Sequence, residues 1–177
     1  MKTRETLKNG YRSLWFALLT CLLLISSCEN YPRDTYNTSE EIKNGSLMVG
    51  YAPNPPWVRV SESGEPEGIE VEIIEGFAET INSEIRWISK SEQSLLNDLE
   101  NRNLSIVISG MKSKSPWNGK IGVTNSYLNH RNHKHVIAIP AGEHRLLFKL
   151  NEFLKKKEEA IAQKYNKLTT SGPEPLN

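Results

Sequence analysis

Cysteine is nearly missing from this 177-residue chain: there are two, and Cys21 and Cys28 both fall in the first 28 positions. No disulfide can form after Cys28, so the rest of the chain must hold together by burial and hydrogen bonding. An excess of one charge is missing too. Lys and Arg number 22 against 21 Asp and Glu, and without residues 1–27 the balance is 18 to 20, a net charge of −2. That excludes the basic face a nucleic-acid binder needs. There is no phosphate-cradling glycine loop, no internal repeat and, beyond Cys28, no apolar run near the ~20 residues that cross a bilayer. No Ser-His-Asp order, cysteine nucleophile or convincing carboxylate pair stands out, and Glu70, Glu72 and Glu75 read as the solvated face of one helix. We expect no enzyme and no cofactor.

What is present begins with a leader. Lys2, Arg4, Lys8 and Arg12 precede an apolar stretch from Leu14 to Ile25, which ends in Ile25-Ser-Ser-Cys28. At about a dozen residues that stretch is short for a membrane span. It resembles a bacterial lipoprotein signal, which implies cleavage before Cys28 and lipid on that cysteine, with several acyl chains giving stable anchoring. A plain secretory leader or a membrane helix is the alternative. The expected organisation is a signal peptide over 1–27, a lipidated Cys28 and flexible tether over 28–44, one folded lobe over 45–168, and a disordered tail over 169–177. This places the protein in the cell envelope, lipid-anchored to a membrane on its extracytoplasmic side.

The folded part reads as α/β. Ser46–Tyr51 is a strand, broken by the prolines of Ala52-Pro-Asn-Pro-Pro56. Trp57-Val-Arg-Val60 and Ser61–Gly64 read as a short extended piece and a turn. From Gly68, Ile69, Ile73, Ile74, Phe77, Ala78 and Ile81 recur at helical spacing. A strand over Ile85–Ile88 comes next, then Ser89-Lys-Ser-Glu92 as a capping box for a helix burying Leu95, Leu96 and Leu99. Ile106, Val107 and Ile108 form a β-branched run suited to a strand buried on both faces, with Ser109 and Gly110 at its carboxyl end, where open α/β sheets bind ligands. Right-handed crossovers lay these three strands in one parallel sheet.

In this order the strand, proline-aromatic loop, Gly68-Ile-Glu-Val-Glu72 helix, Ile-Val-Ile-Ser-Gly-Met run and Thr-x-x-Tyr segment resemble the first lobe of family 3 periplasmic solute-binding proteins. The resemblance implies a single three-layer lobe of the periplasmic-binding-protein type II fold, with a mostly parallel sheet and flanking helices. It departs from the family after Tyr127. Only Leu128–Lys134 stands where a second lobe is inserted, before His135-Val-Ile-Ala-Ile-Pro140, which is similar to the strand returning to lobe one. Leu146, Leu147, Leu150, Phe153, Leu154, Ile161, Tyr165 and Leu168 fit a closing amphipathic helix.

The resemblance implies a site made of Trp57, Ser109, Gly110, Met111, Lys112 and Trp117. Trp57 stands where the family places an aromatic that stacks on the solute; packing on the first helix is the other reading. Ser109, Gly110 and Met111 match the Ser-Gly-Met that meets an amino-acid carboxylate. Lys112 replaces a threonine or serine, and Trp117 falls at the usual arginine, which removes the bidentate fork. The expected partner is a small polar solute of amino-acid type, bound for transport or sensing, with a second copy of the chain or another protein completing the wall. The alternative is a non-catalytic accessory protein docking on a membrane transporter or sensor, through exposed Trp57, Met111 and Trp117. His130, His133 and His135 offer three imidazoles within six residues, but at no standard metal spacing. A histidine-rich linker in place of the missing lobe is the simpler reading.

Overall fold

The computed structural model describes residues 45–170 except Asn118 and Arg131. The leader, Cys28, the tether and the last seven residues lie outside the described residues. The element order is β1 (Ser46–Tyr51), β2 (Arg59–Val60), β3 (Pro66–Glu67), α1 (Ile69–Thr80), β4 (Glu84–Ser89), α2 (Glu92–Glu100), β5 (Ile106–Ile108), β6 (Ile121–Val123), β7 (Leu128–His130), β8 (His133–His135), β9 (Ala138–Pro140) and α3 (His144–Thr170).

Five strands form one sheet in the order β4-β1-β5-β9-β6. β1 pairs in parallel with β4 and with β5, while β9 runs antiparallel to both β5 and β6. The three parallel strands expected from the βαβ rhythm are therefore neighbours, and the returning strand closes the sheet against the grain. Because side chains alternate across a strand, Ile106 and Ile108 join Leu47 and Val49 in a core under α1 and α3, while Val107 joins Leu95, Leu96 and Leu99 of α2 on the other face. Both faces of β5 are buried, as its unbroken β-branched run required. The result is the three-layer α/β lobe expected from the sequence.

Three local features depart from expectation. The cap of α2 is Ser91, whose side chain accepts the Ser94 N–H at 3.4 Å, because Ser89 is the last paired residue of β4, opposite Tyr51. The segment in place of the second lobe is no irregular linker but a hairpin, β7 against β8, turning at Asn132 with a φ of 64°. It is stitched to the chain after β5 by Ser113 N–H to the Lys134 carbonyl and Val136 N–H to the Met111 carbonyl. And α3 runs through Thr170, so Thr169 and Thr170, assigned to the tail on composition, are helical.

The start of α1 fixes the geometry of everything above the sheet. Residues 54–58 form a tight turn whose Pro56 and Trp57 carbonyls accept the Ile69 and Glu70 N–H groups, satisfying donors that a helix start leaves unpaired. This brings the backbone so close that a Cβ on Gly68 would lie 2.5 Å from the Trp57 carbonyl oxygen, at a φ of 131°. Only glycine fits there. Gly68→Ala is expected to cost roughly 2–4 kcal/mol, as strain and overpacking combined. Urea denaturation measures it, and a midpoint equal to wild type would refute this account of the helix start.

Candidate functional site

The parallel strands end in register. Tyr51 of β1 lies opposite Ser89 of β4 and Ile108 of β5, so the chain leaves all three strands along one edge of the sheet. Ser109 and Gly110 sit on this edge, which is the ligand end of open α/β sheets. Their polar groups are largely taken by the chain itself. The Asn54 side-chain amide donates to the Ser109 carbonyl at 2.6 Å. The Gly110 N–H donates to Glu70 Oε2 at 2.8 Å, and the Tyr127 hydroxyl donates to Glu70 Oε1 at 2.6 Å. The Ser109 hydroxyl is the exception: it is buried and meets no hydrogen-bond partner among the described residues.

Glu70 is the residue that pattern reading misplaced. It is fully buried rather than on a solvated helix face. Burial raises its pKa from 4.5 to about 7, against the opposing pull of its bonds from Tyr127 and Gly110 and with a smaller push from the charge of Glu92. The Tyr127 hydroxyl is itself raised well above its usual value, by burial and by the adjacent carboxylate, and so remains a donor.

Trp57 is enclosed. It is 6% exposed, stacks on His135 with ring centroids 3.9 Å apart and on Tyr165 at 5.2 Å, and meets Tyr127 edge-on. Its indole also lies on Gly110, where a Cβ would come 2.2 Å from a ring carbon. The His135 Nδ1 lies 3.2 Å from the Gly110 carbonyl. A carbonyl only accepts, so Nδ1 carries the proton. Burial lowers the pKa of this imidazole, with Lys112, His133 and His130 adding to the effect, while the Gly110 bond opposes it.

The six residues read from the sequence are thus divided between two faces. Trp57 belongs to the core under α1 and α3, whereas Met111 belongs to the α2 core and Trp117 packs against it. Lys120 Nζ lies 5.3 Å from the Trp117 ring centroid, Lys112 is exposed, and Ser109 and Gly110 lie at the edge between. Of the three residues expected to form an exposed docking surface, Trp57 and Met111 are buried, at 6% and 5% exposed, and Trp117 is half-buried. Nor do the three histidines act as a linker. His135 is buried against Trp57, the His130 ring lies 4.8 Å from Tyr165, and His133 faces solvent. Among the described residues no three His, Cys, Asp or Glu side chains gather as a metal would require. Sequence reasoning missed Glu70, Tyr127 and Tyr165 as members of this centre. Their only signal was Tyr127 closing the Thr-x-x-Tyr segment.

A mixed, mostly parallel five-stranded sheet between helical layers is the architecture of a periplasmic-binding-protein lobe. The chain belongs to the bacterial extracellular solute-binding proteins, family 3, whose model matches residues 47–171. Its fold is shared with several solved proteins. An arginine-bound domain 1 of TmArgBP, a variant with tryptophan replacing a phenylalanine, matches at 23% identity over 69% of this chain and 99% of that one, with a TM-score of 0.64. A mutant of ArgBP from T. maritima matches at 13% identity over 75% and 99%, with a TM-score of 0.66. A Salmonella typhimurium periplasmic binding protein of high arginine specificity matches at 12% over 70% and 99%, with a TM-score of 0.61. No curated protein matches the chain. Among the described residues no helix is long and apolar enough to cross a membrane.

The pKa of Glu70 makes stability depend on pH in a definite direction. The folded state holds this proton more tightly than the unfolded chain, so the contribution is complete below pH 4.5 and is lost as pH rises through about 7, amounting to about 3 kcal/mol. His135 acts oppositely, its contribution being lost as pH falls below 6.5. Glu70→Gln can still accept from Gly110 through its carbonyl and donate to Tyr127. Thermal unfolding of this variant is expected to lose most of the decline that Glu70 gives wild type between pH 4.5 and 7. An unchanged decline would place the titration elsewhere.

Proposed function

We propose that the protein is a lipid-anchored, extracytoplasmic solute-binding protein in which one lobe does the work of two, taking a small polar solute of amino-acid type for transport or sensing. Residues 1–27 act as the leader, Cys28 carries the lipid and residues 28–44 form the tether. The solute meets the protein where β5 ends, at Trp57, Ser109 and Gly110, with exposed Lys112 beside them. One observation carries this reading: the Ser109 hydroxyl, 3% exposed, lacks a partner at the ligand end of the sheet. Leaving a buried hydroxyl unpaired costs about 1–3 kcal/mol, a cost a bound solute removes. The arginine-bound domain 1 of TmArgBP supports it as well, being a single domain described with its ligand.

A second reading rests on the enclosure of Trp57. A chain that fills its own platform with His135 and Tyr165 is also what a protein looks like once it has given up its solute and become an accessory subunit of a transporter or sensor. In that case half-buried Trp117 is the one of the three expected anchors left near the surface.

Ser109→Ala separates the two. Under the binding reading it leaves stability equal to wild type or up to ~1 kcal/mol higher, because an orphan hydroxyl is removed, yet weakens solute binding at least ~5-fold. Calorimetric titration with amino acids, alongside thermal unfolding, reads both numbers, and equal affinity of the two proteins would sink the binding site as drawn. Trp57→Ala does not serve here, since truncating so buried a ring costs ~3–5 kcal/mol of fold stability. For the anchor, Cys28→Ser is expected to shift the protein from the membrane to the soluble fraction, and unchanged fractionation would overturn lipidation at that residue.

A further inference from the structure

The long helix α3 does two different jobs along its length. Its first half is set into the core through Leu146, Leu150, Phe153 and Leu154. Beyond that, Lys155 to Ala160 is a run of exposed residues, and the distal half touches the lobe through little more than Ile161, Tyr165 and half-buried Leu168. Beneath it lies a cleft of about 220 Å³, lined by Ile69, Ile73, Gly76 and Phe153 and spanned by an ion pair between Lys164 and Glu72. Few buried contacts over an unfilled cleft are the marks of a segment that opens at low cost. The residue this weakly seated segment delivers is Tyr165, whose ring lies nearly parallel to Trp57, at an interplanar angle of 18°, with the His130 ring also against it. The proximal half has no such role.

We propose that Tyr165 is an intramolecular stand-in for the solute: its phenol ring occupies the Trp57 platform, so the site takes a solute bearing a flat aromatic ring when the distal turns of α3 leave. This rests on the solute-binding reading above and gives it a class of ligand and a control. The surroundings suit a ring rather than an aliphatic chain. Trp57, Tyr127 and His135 present flat or edge-on π surfaces on the same side of the sheet, a geometry aromatic pairs favour. The solute's polar head then reaches the strand end, where Ser109 holds a free hydroxyl. Docked α3 and bound solute exclude one another. The apparent affinity of wild type is therefore reduced by the fraction of molecules in which α3 is docked.

Titration of the full chain in detergent with L-phenylalanine, L-tyrosine and L-leucine tests this, using wild type, Tyr165→Ala and Tyr165→Phe. Tyr165→Ala is expected to bind the two aromatic amino acids at least ~10-fold more tightly than wild type, and Tyr165→Phe, which keeps the ring, to bind as wild type does. Measurable but equal affinity of wild type and Tyr165→Ala would overturn the stand-in and leave solute binding intact. An equal gain for L-leucine would overturn the assignment to a flat ring. No binding by any of the three proteins would overturn the stand-in and the solute-binding reading together. Should Tyr165→Ala fail to fold, hydrogen exchange on wild type decides: saturating L-phenylalanine is expected to accelerate exchange through residues 161–170 while residues 146–154 stay protected. Unchanged exchange at 161–170 in the bound protein would refute the exclusion.

Discussion

The site depends on one buried carboxylate. Glu70 is met by the Gly110 N–H and the Tyr127 hydroxyl rather than by a cation. Such a group is tolerated because buried donors meet it, the Ser109 N–H among them, and because it takes up a proton near neutral pH. In return it ties together three segments far apart in sequence: the start of α1, the end of β5 and the loop that closes on Tyr127. The start of α1 is in turn locked to the Trp57 turn, since the carbonyls of Pro56 and Trp57 accept its first N–H groups. Moving any one of these parts means breaking a hydrogen bond whose other end is buried, which costs more than the bond contributed.

Around this fixed centre the chain covers its own Trp57 ring. It does so with the β7–β8 hairpin and the distal half of α3. His135 comes from the hairpin and Tyr165 from the helix, and both stack on Trp57, leaving that ring buried. An indole left open would have exposed a large apolar face on a domain of about 125 residues, where buried area is already scarce. The arrangement is thus explained by the burial of apolar area before any function is invoked. The two covers differ in how firmly they hold. The hairpin is tied by backbone hydrogen bonds to Ser113 and Met111, the helix by a few side chains over a cleft.

Much of the fold was legible because it depends on short-range periodicity. The β-branched run of β5, the helical spacing from Ile69 to Ile81 and the apolar series of α3 each state their partner surface within a few residues. The elements that escaped reading depend on long-range contacts. Glu70 sits 40 residues from Gly110 and 57 from Tyr127, and its neighbours Glu72 and Glu75 share its charge but not its burial. Composition cannot separate one acidic helical residue from the next when only the tertiary position differs. The cap of α2 was missed by two residues because pairing in β4 claimed Ser89 first. For Trp57 the sequence left two readings, a platform for a solute and packing on the first helix, and whether that ring faces solvent or its own chain is decided by Tyr165, far along the sequence in the last helix.

Ser109 shows why an enclosed platform does not by itself argue for lost function. Every other polar group at the end of β5 is matched: the Ser109 carbonyl by Asn54, the Gly110 N–H by Glu70, the Gly110 carbonyl by His135. A surface that had only to pack would gain from alanine at 109, since the hydroxyl is buried and meets nothing. Aromatic covering and an unpaired hydroxyl therefore point in different directions. The covering supplies stability to the empty lobe, while the hydroxyl withholds some, and the two are reconciled if the covering is removable and the hydroxyl is what an incoming solute satisfies. A permanently closed lobe accounts for the stacking on Trp57 but leaves the serine without a reason.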